Sequence, residues 1–270
     1  MSGMKKLFDF KKDKKQKKLL QALGEEPQLI VDDAPFEYAE AFKELRTNLN
    51  FLTSRSKSDG KGCKILVTSS VPGEGKSTTA INLALALAQG NHKVLLVDGD
   101  MRNPVIRKYL RLEQKVETGL SALLNNDVKI EDCLVRTEYG VDVIPNGPIA
   151  PNPAELIKSS AMRSLLKGVE NHYDYILFDT PPVGVITDAA ALSPLCDGVV
   201  YVIRHSFASK KQVRTAIKKL QMVEANIFGT IMSQYEIPKA GRGYGYYHKK
   251  YGYGYGYGYG YGYGYGHKAK

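Results

Sequence analysis

A chain of 270 residues, 43% of them hydrophobic, is long enough for one domain with a buried core. Its formal charge of +10 sits at the two ends: residues 1–18 hold eight lysines against Asp9 and Asp13, residues 239–270 hold six basic residues and no acid, and the body between is close to neutral, so the overall basic charge is no sign of a nucleic-acid groove and no nucleic-acid partner is expected. Three cysteines with no C-x-x-C pair exclude a disulfide framework and fit a reducing cytosol, and no apolar run approaches the roughly 20 residues that a membrane helix needs.

Residues 1–34 read as a basic flexible leader without the apolar core of a signal peptide. Its lysines are either solvated or an aid to membrane attachment, at about 1 kcal/mol each near anionic lipid. From Pro35 a helical pattern begins, with Phe36, Ala39, Phe42, Leu45, Leu49 and Leu52 at three- and four-residue steps. Glu40, Lys43 and Arg46 stack on its other side, as a solvated face or as an oligomer contact. Residues 54–62 are a loop into the first core strand.

Strands are expected at Lys64 to Thr68, Lys93 to Asp98, Val141 to Ile144, Tyr175 to Asp179, Gly198 to Arg204 and Phe228 to Ser233. Helices are expected from Lys76 to about Gln89 and near 118–125, 153–170, 187–195 and 206–224. Runs such as VLLVD, YILFD and GVVYVI are apolar on consecutive residues. That marks strands covered on both faces, hence a mainly parallel sheet in an α/β domain over 35–238. Beyond Pro238 the chain becomes nearly pure Tyr-Gly alternation, and glycine at every second place predicts a disordered tail over 239–270. It holds eleven tyrosines: Tyr244, Tyr246, Tyr247, Tyr251, Tyr253, Tyr255, Tyr257, Tyr259, Tyr261, Tyr263 and Tyr265. Such a tail reaches on the order of 30 Å as a coil and on the order of 100 Å when stretched, far enough to meet a neighbouring molecule.

The chain is organised around KILVTSSVPGEGKST, residues 64–78. A strand leads into a glycine-bearing loop that ends at Lys76, Ser77 and Thr78, and a helix follows. This is the P-loop arrangement, with Ser70 in the first glycine place of G-x-x-x-x-G-K-[ST]. Pro72 to Thr78 (Pro72, Gly73, Glu74, Gly75, Lys76, Ser77, Thr78) are the ATP-binding candidates. The backbone N–H groups of Gly73, Glu74, Gly75 and Lys76 would curl round a polyphosphate at a helix N-terminus. Lys76 would reach the β- and γ-phosphates and the Ser77 hydroxyl would sit on Mg²⁺.

Two acidic strand ends join the loop at the carboxyl edge of the sheet, where ligands bind in such folds. VLLVDGD supplies Asp98 and Asp100, and ILFDTPP supplies Asp179. Phosphoryl transfer is mainly positioning and charge neutralisation. Lys76, Asp98, Asp100 and Asp179 are therefore the catalytic candidates. Ser77, Asp100 and Asp179 form the metal side, and Asp98 is the base or orienter of the acceptor. Thr187 and Asp188 belong either to a phosphate-sensing loop or to a helix cap, and Arg204 either faces nucleotide or is a surface charge. No histidine shows metal spacing.

The P-loop, DGDMR, FDTPP and a tyrosine-rich C-terminus together resemble the bacterial tyrosine kinases, in the form of the separate kinase subunit of firmicute capsule and exopolysaccharide loci. GPIAPNPAELI, residues 147–157, fits the same family. The resemblance implies a P-loop NTPase fold, ATP and Mg²⁺, and autophosphorylation of the tyrosine cluster between subunits. It implies a ring whose contacts use Glu40, Lys43 and Arg46, with Lys43 where the family usually has arginine. It further implies a cytoplasmic protein recruited to the inner face of the membrane by an adaptor of the polysaccharide co-polymerase type, a phosphatase that reverses the modification, and control of polymer length and export. Related partition and division-site ATPases are the rival class. They carry a second, signature lysine where this chain has Val71.

Overall fold

The computed structural model describes residues 27–31, 34–54, 60–112 and 118–235. The tyrosine cluster and residues 1–26 lie outside the described residues. The first long helix, α1 (Phe36–Thr53), buries Phe42 and Leu49, and β1 (Cys63–Ser69) follows it. Next come α2 (Lys76–Gln89) and β2 (Val94–Asp98), then the short helices α3 (Ile106–Tyr109) and α4 (Leu120–Leu124). The strands β3 (Val135–Arg136) and β4 (Val141–Ile144) precede α5 (Pro153–Lys158), α6 (Ser160–Val169) and β5 (Tyr175–Asp179). Helix α7 (Asp188–Leu192), β6 (Gly198–Arg204), α8 (Lys210–Gln221) and β7 (Ile227–Ser233) complete the order.

Seven strands form one sheet in the order β3-β4-β2-β5-β1-β6-β7, parallel except for β3 against β4. The continuous apolar runs are explained by its two covered faces. Ile65 and Val67 pack with α1 and α2 on one side, while Leu66 packs with residues of α4 to α8 on the other. The same division separates Leu96 from Leu95 and Leu177 from Phe178.

The expected strands are all present, within a residue at either end. Three helical stretches differ, for local reasons. The helix expected over 153–170 is two helices, because the Ser159 hydroxyl accepts a hydrogen bond from the Met162 N–H and starts a new one. The stretch 187–195 is α7 followed by a 3₁₀ turn over Ser193–Leu195 that contains Pro194. Helix α8 begins late, at a capping box between Ser209 and Gln212. The antiparallel edge strand β3 and the one-turn helix α3 were not anticipated, being too short for periodicity to reveal. At the start of the body, the Ile30 N–H donates to Asn82 of α2 at 2.9 Å, and the Asn82 amide donates to the Gln28 carbonyl at 2.8 Å. Residues 27–31, assigned from sequence to the leader, thus pack against the P-loop helix.

Candidate active site

The loop between β1 and α2 takes its shape from two glycines and one carboxylate. Gly73 and Gly75 have φ of +82° and +85°, a left-handed backbone that favours glycine. Glu74 is fully buried, and its side chain holds the loop from inside. One carboxylate oxygen accepts from the N–H groups of Ser70 (2.6 Å) and Val71 (2.9 Å), and the other from the Arg204 N–H (3.3 Å). The sequence reading uses Glu74 only through its backbone N–H; its carboxylate is in addition a brace within the loop. The Ser233 hydroxyl donates to the Glu74 carbonyl at 2.6 Å, so the end of β7 holds the same residue from another side.

Arg204, placed by sequence either at the nucleotide or on the surface, is half-buried at the edge of the P-loop. Its guanidinium donates to the Gly73 carbonyl at 3.2 Å and lies 4.6 Å over the Phe207 ring. Ser70, at the first glycine position, puts its hydroxyl 2.7 Å from the Tyr201 hydroxyl in the core. A serine is accommodated here because a buried phenol in β6 needs a partner, and burial raises the Tyr201 pKa.

The sheet register brings the acids together. Asp98 at the end of β2 is the direct cross-strand partner of Asp179 at the end of β5, and Asp179 is in turn the partner of Val67 in β1. The Gly99 N–H donates to the Asp179 carbonyl at 2.8 Å, and a Cβ at Gly99 would stand 2.9 Å from that oxygen. The loop after β5 is tied to β1: the Thr68 hydroxyl donates to the Pro181 carbonyl at 2.9 Å and accepts from the Val183 N–H at 3.2 Å. Asp98 and Asp179 are fully buried, and all four of their carboxylate oxygens are left without a hydrogen-bond partner.

The Lys76 ammonium lies 3.0 Å from Asp100, 3.7 Å from Asp179 and 3.2 Å from the Ser77 hydroxyl. Burial works against that charge, but Asp179 and Asp100 outweigh it and lift the lysine pKa. Burial, then the charges of Asp179 and Asp100, pushes the Asp98 carboxyl well above the ordinary aspartate range. Burial also raises Asp179, with Lys76 pulling the other way. Asp100 accepts from the Asn103 N–H at 3.0 Å, which folds the turn after β2. Lys76, Ser77, Asp98, Asp100 and Asp179 therefore converge at one place.

No group of three His, Cys, Asp or Glu side chains among the described residues is spaced to hold a metal ion by itself. Orphaned carboxylate oxygens beside a serine hydroxyl are nevertheless hard donors of the type Mg²⁺ uses. Mg²⁺ commonly takes one or two carboxylates, water and substrate phosphates, so these residues fit an ion that arrives with its nucleotide.

Thr187 precedes α7 without capping it through its side chain, and Asp188 is engaged by Arg102 rather than by the helix. On α1, Lys43 pairs with Glu40 at 2.6 Å, but Arg46 turns away and donates to the Ala86 carbonyl of α2 at 2.9 Å. The expected triple is thus an exposed pair and an anchored arginine. The side-chain roles of Thr68 and Ser233 were missed because they depend on contacts between segments far apart in sequence, and that of Glu74 because its bonds to Ser70 and Val71 need the folded loop and its third comes from Arg204.

The AAA domain family matches residues 63–232. The Bacillus subtilis tyrosine-protein kinase YwqD is 38% identical over 202 residues, covering 74% of this chain and 83% of its own. The Streptococcus agalactiae tyrosine-protein kinase CpsD is 34% identical, covering 72% and 82%. Among solved structures, the chimerical protein CapA2B2 is similar with a TM-score of 0.66 at 36% identity, over 74% of this chain and 85% of its own. The kinase domain of the Escherichia coli tyrosine kinase ETK gives a TM-score of 0.66 at 28% identity, over 75% and 79%. The septum site-determining protein MinD of Pyrococcus horikoshii, complexed with Mg-ADP, gives 0.55 at 26% identity, over 66% and 74%.

Proposed function

The chain belongs to the bacterial tyrosine-protein kinases, and from that premise we propose that it phosphorylates the tyrosines of its own C-terminal cluster between neighbouring copies. The observation that carries the reading is the convergence of Lys76, Ser77, Asp98, Asp100 and Asp179 at the carboxyl edge of the sheet. The nucleotide is ATP, cradled by Pro72 to Thr78. Lys76 exchanges its carboxylate partners for phosphate oxygens. Ser77, Asp100 and Asp179 hold Mg²⁺, which neutralises charge on the phosphates when bound. A phenol oxygen forms a bond to the γ-phosphorus as the bond to the bridging oxygen breaks, and ADP leaves with that electron pair. Asp98 takes the phenolic proton in its ionised form, which the nearby Lys76 charge favours.

The catalytic body spans 35–238 together with the segment 27–31 that packs on α2, between a basic leader and the acceptor segment (239–270). No helix among the described residues is long and apolar enough to cross a membrane. The reading places the protein in the cytoplasm, drawn to the inner face of the membrane by an adaptor of the polysaccharide co-polymerase type. Copies assemble as a ring through α1, with Glu40 and Lys43 at the contact and Arg46 behind them. Each phosphate adds about −1.5 to −2 charge to a tail that begins at +6, so modification reverses its sign and loosens the ring. A phosphatase resets it, and the cycle regulates the length and export of a capsular or extracellular polysaccharide.

The test is intact-mass measurement after incubation with Mg-ATP, with and without the adaptor's cytoplasmic segment, beside Lys76→Met. The reading expects mass gains in steps of one phosphate on the tail, absent from Lys76→Met. Free phosphate release with no labelled protein, even with the adaptor segment present, would refute it.

A further inference from the structure

Asp188 is an acid in the interior with one cationic partner among the described residues, Arg102. Its side chain is 1% exposed, and the Arg102 guanidinium meets it through Nε at 3.0 Å and Nη2 at 3.5 Å. The two residues come from different loops. Arg102 stands two residues beyond Asp100 in the turn after β2, and Asp188 closes the loop that begins at Asp179 and opens α7. Each loop is already fixed at its start. Thr68 and the Val67 carbonyl hold Thr180, Pro181 and Val183 against β1, and the Lys219 ammonium donates to the Gly184 carbonyl at 2.7 Å. The turn after β2 is folded by Asp100 itself, through Asn103.

What joins the far end of one loop to the other is the Arg102–Asp188 pair. Its effect on Asp100 is short-range, because only Met101, fully buried, separates Asp100 from Arg102. The Arg102 side chain is 43% exposed, so little but Asp188 determines where it lies.

We propose that Arg102 and Asp188 act as a positioning pair that holds Asp100 at the metal side of the site, by locking the turn after β2 to the loop after β5. The inference rests on Asp100 belonging to the metal side, as argued above. The pair touches neither the reacting atoms nor the nucleotide in this role. It sets where the Asp100 carboxylate stands when Lys76 lets go of it.

The experiment is calorimetric titration of the full chain with ADP over a range of Mg²⁺ concentrations, for wild type, Arg102→Lys, Arg102→Ala, Asp188→Asn and the double variant Arg102→Ala/Asp188→Asn. Tyrosine labelling is measured in parallel. The pair predicts that either neutralising substitution raises the half-saturating Mg²⁺ concentration about ten-fold, equivalent to ~1.4 kcal/mol, while ADP affinity without Mg²⁺ stays unchanged. It predicts a lower kcat for labelling at unchanged KM for ATP in saturating Mg²⁺, partial recovery in Arg102→Lys, and a double variant no worse than the worse single one. The double variant removes both charges, so it keeps the test open where a single variant leaves a buried charge that prevents folding. A wild-type Mg²⁺ response in the variants, or losses that multiply in the double one, overturns the pair. A wild type whose ADP affinity ignores Mg²⁺ instead overturns the metal-side reading of Asp100, and the pair's role with it.

Discussion

Asp98 and Asp179 face each other across adjacent parallel strands, both fully buried and neither accepting a hydrogen bond. Two carboxyls so placed destabilise the protein that contains them whenever they are ionised. Asp98 is raised in the folded state, so between about pH 4 and its folded value the native state holds a proton that the unfolded chain has lost. Stability without nucleotide therefore falls as pH rises through that window. Asp98→Asn removes the titrating group and is expected to raise the melting temperature at neutral pH, by about 2–4 °C for each kcal/mol gained, and to flatten the pH dependence, while abolishing labelling. A melting temperature unchanged or lowered at pH 7 would contradict this account.

Glu74→Ala removes the acceptor of three backbone N–H groups. A hydrogen bond to a charged group contributes ~1.5–3 kcal/mol, so the P-loop should lose its shape and nucleotide affinity should fall by at least about ten-fold. Glu74→Gln keeps two acceptor lone pairs and should lie between. Equilibrium binding of fluorescent ADP measures both; wild-type affinity in Glu74→Ala means the loop does not depend on this brace.

Ser70→Gly restores the usual glycine yet should destabilise the protein, because the Tyr201 hydroxyl loses its partner in the core. An unsatisfied buried polar group costs ~1–3 kcal/mol. Adding Tyr201→Phe should recover most of that loss, and urea unfolding of the four members of the cycle reads the coupling. Additive losses would mean that the two hydroxyls do not act together.

Arg46 and Lys43 should separate cleanly. Arg46→Ala removes one of two donors to the Ala86 carbonyl at the end of α2, which keeps the Gly90 N–H, and is expected to lower stability by ~0.5–1.5 kcal/mol. Lys43→Glu reverses an exposed charge and should change the oligomer mass in light scattering with little effect on melting. An unaltered oligomer in Lys43→Glu would remove this face from the ring contact.

The main strands and the acids at their ends were legible because doubly covered strands are apolar residue after residue, and the chemistry sits where they stop. The P-loop was legible from its motif together with the strand before it and the helix after it, and the meeting of the loop with Asp98 and Asp179 from the strands that end there. What supports those residues was not. Glu74 reads like any loop acid, and only the folded chain brings the N–H of Arg204 to it from β6. Ser70 reads as a departure from a motif until Tyr201 is seen beside it. Arg46 reads as one of a surface triple because helical spacing gives the side of the helix but not the reach of a long side chain, which here extends to a carbonyl forty residues away.

The carboxylate that ties Ser70, Val71 and Arg204 together has a thermodynamic corollary. A cradle already set in its final form asks little ordering of the chain when a ligand arrives. Selectivity among polyphosphates then falls to the exchange between lysine, acids and incoming oxygens, and the calorimetric signature of nucleotide capture should carry only a small change in heat capacity.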